Sequence, residues 1–454
     1  MRNSRREQRQ ASVSGVVLSP TSRRTSRWAI ALRLFVATLL WIYLHIVCRV
    51  EYRGRLPLRH GATLVISNHL HDLDGMVAPI LLTFTGPLRR PVYCAASQRL
   101  FEPGFLATRF PGIFRPFLYR RNAAGLFTVL GVLPIENQPL MRPLSSFAHF
   151  VLQAAGDLPV KDVFTPETLQ KFGLPPAAPL SVLWDRRYAA AMLVRRVSLT
   201  VLQEPYRAMV RSAQRARIEG QMQVLKERLR EGATLYLTPE GRYSPNGRVQ
   251  RLRLALRELL PLADRVYGIA INYDPFLRRN LSLYVRIGPF AKDGNDSGWL
   301  ARQRTITVSQ VVAAAVLSLP RAFTEQDVRD RVRRQIEALP PSAPVASELA
   351  QDSVAVTRCL RGMVKKGVVL PLADSPHGEL TLDGERKRAL AIFPDVSDIL
   401  VFLQQSLDET LEACRGALVP TSSSIPLPVR EHALRSSEQM VDPVNPVNPV
   451  KSKA

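Results

Sequence analysis

Six strand-like runs, separated by helical or mixed sequence, limit what this chain can fold into. They are Thr63–Ser67, Pro91–Ala96, Val129–Ile135, Ala233–Thr238, Val266–Asn272 and Leu281–Ile287. Strands that alternate with helices specify an α/β domain, here a mixed sheet flanked by helices over residues 50–300. The best helical stretch runs from Tyr206 to Glu231, where Ile218, Met222, Leu225 and Leu229 recur at helical spacing as a core-facing stripe. Residues 138–205 interrupt the alternation. They are Pro-rich around Leu158–Leu180 and read as an insertion or lid.

The 454 residues leave room for two or three domains. Residues 1–27 carry seven arginines and few apolar residues, so a disordered basic arm is expected. Residues 28–49 hold the apolar stretch Trp28–Val47, with Arg33 near its start. A helix of about 20 residues spans roughly 30 Å, so it is expected to cross a membrane or lie in one leaflet. Arg23, Arg24 and Arg27 precede it and Arg49, Arg53 and Arg55 follow, which leaves its orientation open. Residues 301–418 form a mainly helical block, with patterns at Val308–Ser318, Glu325–Leu339, Ala350–Lys366 and Asp395–Cys414. A hairpin of Gly367–Leu372 and Glu379–Leu382 about a Ser375-Pro376-His377-Gly378 turn gives that block a winged-helix-like layout. Residues 419–454 end in a Pro-repeat and are expected to be a disordered tail.

With 62 Lys+Arg against 38 Asp+Glu, the net charge is +24. That excess attracts phosphate, on anionic lipid, nucleic acid or a small substrate. Most of these cations are arginines, which suit bidentate phosphate contacts. Cys48, Cys94, Cys359 and Cys414 are scattered without metal-ligand spacing, and a reducing compartment fits. His69-Leu70-His71 resembles the start of a metallo-hydrolase motif, but Leu73 and Asp74 stand where Asp and His are required. No metal site is expected.

In open α/β sheets ligands bind beyond the carboxyl ends of the strands. His69, Glu240 and Tyr273 each follow a strand-like run and meet at that rim. His69 can accept a hydroxyl proton near neutral pH, and a carboxylate at Asp74 can hold its other ring nitrogen protonated. His71 and Asp72 compete for the same roles.

Asn68-His69-x4-Asp74, followed by Pro239-Glu240-Gly241, resembles the N-H-x4-D and F-P-E-G-T-R-S motifs of the glycerolipid acyltransferase superfamily, whose members include 1-acylglycerol-3-phosphate acyltransferases. The resemblance covers roughly residues 25–300. It implies that His69 is the general base and Asp74 its orienting partner. Glu240 and Gly241 with Arg242, or Arg248 as an alternate, would bind the acceptor's phosphate. It further implies direct acyl transfer from acyl-CoA or acyl carrier protein to a lysophospholipid, without cofactor or acyl-enzyme, at an anionic membrane surface. The site is expected on the cytoplasmic face.

The chain departs from the family pattern in several places. Thr238 replaces Phe, and Arg242-Tyr243-Ser244 replaces T-R-S. The second family motif, G-x-x-x-[IV]-x-R, aligns with Gly131–Asn137, with Asn137 at the arginine position; Arg142, Arg195 and Arg196 are substitutes. Gly268 stands where the fourth motif usually has Pro. Other acceptors, including glycerol-3-phosphate, remain open. Two other classes compete: a thioester or lipid hydrolase, which would release free fatty acid, and a non-enzymatic protein that binds nucleic acid or anionic membrane. Intact His69 and Asp74 argue against the second, so nucleic acid is not the expected partner.

Overall fold

The computed structural model describes residues 27–57, 61–85, 92–108, 112–136, 141–290, 296–351, 354–372, 379–382, 390, 393 and 396–416. The basic arm before Arg27, the tail, Asn137 and the Ser375–Gly378 turn lie outside these residues.

Helix α1 (Arg27–Val47) runs directly into strand β1 (Cys48–Arg53), a strand the sequence reading did not anticipate. By length and composition α1 can cross a membrane. Arg33, Ala37, Leu40 and Leu44 form its half-buried to buried stripe, and the opposite side is exposed. Strand β2 (Thr63–Ser67) leads to α2 (Asp74–Thr85), then β3 (Val92–Ser97), the short helices α3 (Arg115–Leu118) and α4 (Ala124–Val129), and β4 (Val132–Ile135). Val129, expected to open a strand, instead ends α4.

The insertion opens with β5 (Met141–Pro143) and α5 (Leu144–Ala155). It continues through α6 (Val160–Val163), α7 (Pro166–Phe172) and α8 (Ala189–Val194), and closes with β6 (Arg196–Ser198) antiparallel to β5. It builds its own core from Phe147, Phe164, Leu180, Leu183 and Trp184. The long helix α9 (Tyr206–Arg230) returns the chain to β7 (Thr234–Leu237), α10 (Leu254–Leu259), β8 (Arg265–Asp274) and β9 (Leu281–Pro289).

The main sheet has the order β1-β9-β8-β2-β7-β3-β4. Strands β8, β2, β7, β3 and β4 are parallel; β9 is antiparallel to β8, and β1 follows β9. This is a mixed, mostly parallel sheet with helices on both faces. Strand β2 lies at its centre and all five residues are buried, as a parallel strand covered on both faces requires. Alternation divides its side chains: Leu64 and Ile66 pack with Leu225 and Leu229 of α9, while Val65 joins the opposite core with Ile269, Ile271 and Leu283.

The remaining chain forms α11 (Asp296–Gln303), α12 (Val308–Leu317), β10 (Ala322–Phe323), α13 (Glu325–Glu337), α14 (Ser347–Gln351), α15 (Val354–Lys365), β11 (Leu370–Pro371), β12 (Leu380–Thr381) and α16 (Ile399–Gly416). Thr307 and Thr324 close capping boxes that set the starts of α12 and α13. Strands β10, β12 and β11 pair in that order as a small antiparallel sheet. Helix α12 is buried from Val308 to Val316, and its valines share one core with β8, β9 and α2.

Candidate active site

The site grows from the way β2 ends. The Asn68 amide replaces two ladder bonds: it donates to the Ile271 carbonyl at 2.9 Å and accepts from the Ile271 N–H at 2.7 Å. This pins the first residue after the strand to β8 and turns the next one, His69, onto the rim. Asp74 opens α2, where the helix dipole favours a carboxylate. Its Oδ2 accepts from the backbone N–H of Leu70 at 2.5 Å and of His71 at 2.8 Å, and lies 3.3 Å from His69 Nδ1. Four intervening residues are the length this strand–turn–helix needs to fold a carboxylate back onto the imidazole. Asp74 is fully buried, whereas 18% of the His69 side chain is exposed. With Nδ1–H donating to Asp74, Nε2 keeps its lone pair.

Tyr273, at the end of β8, donates its hydroxyl to Asp74 Oδ1. Burial and the Asp74 charge push this phenol well above its usual range, so it remains a donor. The Asp74 carboxylate is thus held through both oxygens. The sequence placed Tyr273 at the rim; only its fold-imposed meeting with Asp74 gives it a role. His71 accepts from the Leu73 N–H at 3.1 Å and packs against Tyr273 and Phe393, which makes it part of the turn.

The second rim loop follows β7. Glu240 Oε1 accepts from the His69 N–H and Oε2 from the Gln250 N–H, each at 2.7 Å. The Ser244 N–H donates to the His69 carbonyl at 3.0 Å. The two motifs, 171 residues apart, are therefore fastened backbone to side chain. Burial pushes the Glu240 carboxyl up to about 7, against the two N–H donors and the nearby His69 and Arg304, which pull it down. Gly241 adopts a left-handed φ of +66°, and a Cβ there would lie 2.2 Å from Arg253 Nε. Arg253 donates to the carbonyls of Glu240 and Gly241 at 3.2 and 3.4 Å. Sequence reasoning passed over this arginine because it lies beyond the motif. Tyr243 lays its ring 4.3 Å from the His69 ring, centroid to centroid, and donates to Asp72. Arg242 is exposed beside them, and Arg248 pairs with Glu412 at 3.8 Å.

Beyond β4 lies a buried charged group. Arg142 pairs with Glu136, and Arg217 lies 4.0 Å from the same carboxylate and 4.1 Å over the Phe150 ring. Ser146 donates to Glu102 at 2.5 Å. Burial pushes Glu102 up and holds His149 down at about 4, with Arg217 adding to the latter. Of the substitutes for the second-motif arginine, Arg142 is thus drawn inside, while Arg195 and Arg196 are exposed. Among the described residues no group of three or more His, Cys, Asp or Glu is arranged to hold a metal ion.

No protein-family model matches the sequence, and no curated protein matches it. Among solved structures it is similar to the crystal structure of the 1-acyl-sn-glycerophosphate (LPA) acyltransferase PlsC from Thermotoga maritima. The identity is 12% over 74% of this chain and 84% of that one, with a TM-score of 0.26, too slight a likeness to carry an assignment.

Proposed function

We propose that this chain is a membrane-associated O-acyltransferase that moves a fatty acyl group from acyl-CoA or acyl carrier protein to a lysophospholipid, 1-acylglycerol-3-phosphate first among them. The observation that carries the reading is the buried, doubly held Asp74 behind His69, whose Nε2 stays available at the rim of the mostly parallel sheet. The motif resemblance supports it, as does the apolar helix α1, which suits an insoluble acceptor.

In this mechanism His69 Nε2 takes the acceptor's hydroxyl proton as the oxygen attacks the thioester carbonyl. Asp74 stabilises the resulting imidazolium. The tetrahedral intermediate collapses, the C–S bond breaks, and the thiolate leaves with the proton from His69. Arg242, or Arg248 as the alternate, would meet the acceptor's phosphate. Glu240 and Gly241 act as positioning residues that hold this loop against His69. The block 301–418 is read as winged-helix-like on the order α12–β10–α13–α14–α15–β11–β12 and the strand order β10-β12-β11. The cytoplasmic face is proposed for the site, and four free cysteines suit that compartment.

The test is transfer of radiolabelled oleoyl-CoA to a lysophospholipid panel by the purified full chain and by His69→Ala. Transfer by wild type, falling at least about 100-fold in the variant, is expected for loss of a general base. Free oleate as the sole product would make the chain a hydrolase. No turnover with either donor carrier would remove the acyltransferase reading.

A further inference from the structure

One surface feature is absorbed neither by the fold nor by the dyad. Ile113, Phe114 and Phe117 are 77%, 54% and 77% exposed. They belong to a helical turn, Gly112–Phe114, that continues into α3. Spacings of one, three and four along such a turn leave the three side chains on neighbouring positions of one side. The segment itself is anchored, because Leu118 and Tyr119 pack into the insertion's core. Apolar side chains on a moored segment are presented to something outside this core.

The surrounding charge says what that is. Between Glu102 and Glu136 the sequence carries four arginines, Arg109, Arg115, Arg120 and Arg121, and no acidic residue. The last three are exposed; Arg120 meets Asp185 of the insertion. Aromatic and aliphatic side chains with exposed arginines close by in the chain suit the boundary of an anionic bilayer, where the rings enter the acyl region and the guanidinium groups meet phosphate.

Topology points the same way. Strand β1 runs antiparallel to β2, so α1 delivers the chain to the rim where β2 ends, with Cys48 opposite Leu281. Strand β3 is parallel to β2 through β7 and ends at that same rim, where Gln98 begins the connection that follows it. Helix α1, with Trp28, Phe35 and Ile46 exposed at 83%, 60% and 66%, therefore enters the sheet at the His69 edge, and the 113–117 turn belongs to the connection that begins at the same edge.

We infer that Ile113, Phe114 and Phe117 form a second membrane contact, independent of α1, which docks on an anionic lipid surface and brings the His69 rim to the bilayer. The inference rests on the membrane-associated reading above but not on the acyl-transfer chemistry. It is tested on the full chain with Phe117→Cys carrying an environment-sensitive nitrobenzoxadiazole dye. Wild type labelled in parallel accounts for the native cysteines. On phosphatidylglycerol-containing vesicles the dye should shift to the blue and lose intensity to lipids bearing a nitroxide high on the acyl chain. The quenching should weaken in pure phosphatidylcholine. Quenching of Trp28 and Trp41 by the same lipids reports whether α1 is inserted. If those tryptophans are quenched while the dye keeps a water-like emission, the second contact does not exist. A dye already blue-shifted without vesicles, and untouched by nitroxide lipid, would show the turn covered by protein and overturn the inference. Equal quenching in both lipids would remove its anionic specificity. An inactive chain still reports, so failure here and failure of acyl transfer are read separately.

Discussion

At the scale of single residues, the site is a carboxylate problem. Asp74 is buried and stays satisfied because Leu70, His71 and Tyr273 all donate to it. Tyr273→Phe keeps the ring and removes one donor to a buried charge. It should lower the urea-unfolding free energy by about 1.5–3 kcal/mol. An unchanged midpoint would mean that the hydroxyl does not hold Asp74.

Glu240 makes a prediction of opposite kind. Its folded-state carboxyl lies at about 7 against an ordinary 4.5, so between these values the folded chain keeps a proton the unfolded chain has lost. The stability tied to that proton is complete below about pH 4.5 and is lost as pH rises through about 7. Wild-type Tm should fall relative to Glu240→Gln as pH is raised across this window; parallel curves would refute the raised carboxyl. His69 and Asp74 were legible in sequence because the turn is local. The partners of Glu240 were not: His69 belongs to a loop that meets it only in the fold, and Gln250, ten residues on, follows an irregular stretch with no period to read.

At the scale of elements, periodicity performed well where one face of a strand or helix had a single job. Strand β2, helix α9 and the starts of α12 and α13 lie where the apolar run, the apolar stripe and the helical patterns place them. The start of β4 differed because Leu130 and Gly131 turn the chain: Gly131, at φ +81°, would bring a Cβ within 2.5 Å of the Val92 carbonyl. Strand β1 escaped notice because its charged residues Arg49, Glu51 and Arg53, set among few apolar ones, hide its pairing with β9. The Gly268 position in β8 is explained by packing. A Cβ there would lie 1.9 Å from the Trp299 ring, so α11 can cross the strand only over a glycine. Gly268→Ala should cost about 1–3 kcal/mol by overpacking. Calorimetry showing no loss would mean that Trp299 has another place to go.

At the scale of the whole molecule, the C-terminal helices are coupled to the rim. Arg304 is fully buried. It donates to the Gly247 carbonyl at 2.6 Å and the Ser406 carbonyl at 3.3 Å, and pairs with Glu409. Glu409 also accepts from the Val249 N–H at 2.8 Å. The loop that carries Glu240 and Arg248 is thereby pinned to α16. Arg304→Ala leaves Glu409 without its buried partner and should cost about 3–5 kcal/mol. A Tm within a degree or so of wild type would show that the loop is held otherwise.

The sequence by itself determined the α/β class, the apolar first helix and the local dyad, because each depends on residues within one element or one turn. The tertiary structure alone decided what Tyr273, Tyr243, Arg253 and Arg304 do, and that Arg142 is drawn inside while Arg195 and Arg196 remain outside. Those roles depend on contacts between segments far apart in the chain. Periodicity records which face is buried; it carries no record of which distant partner shares the burial.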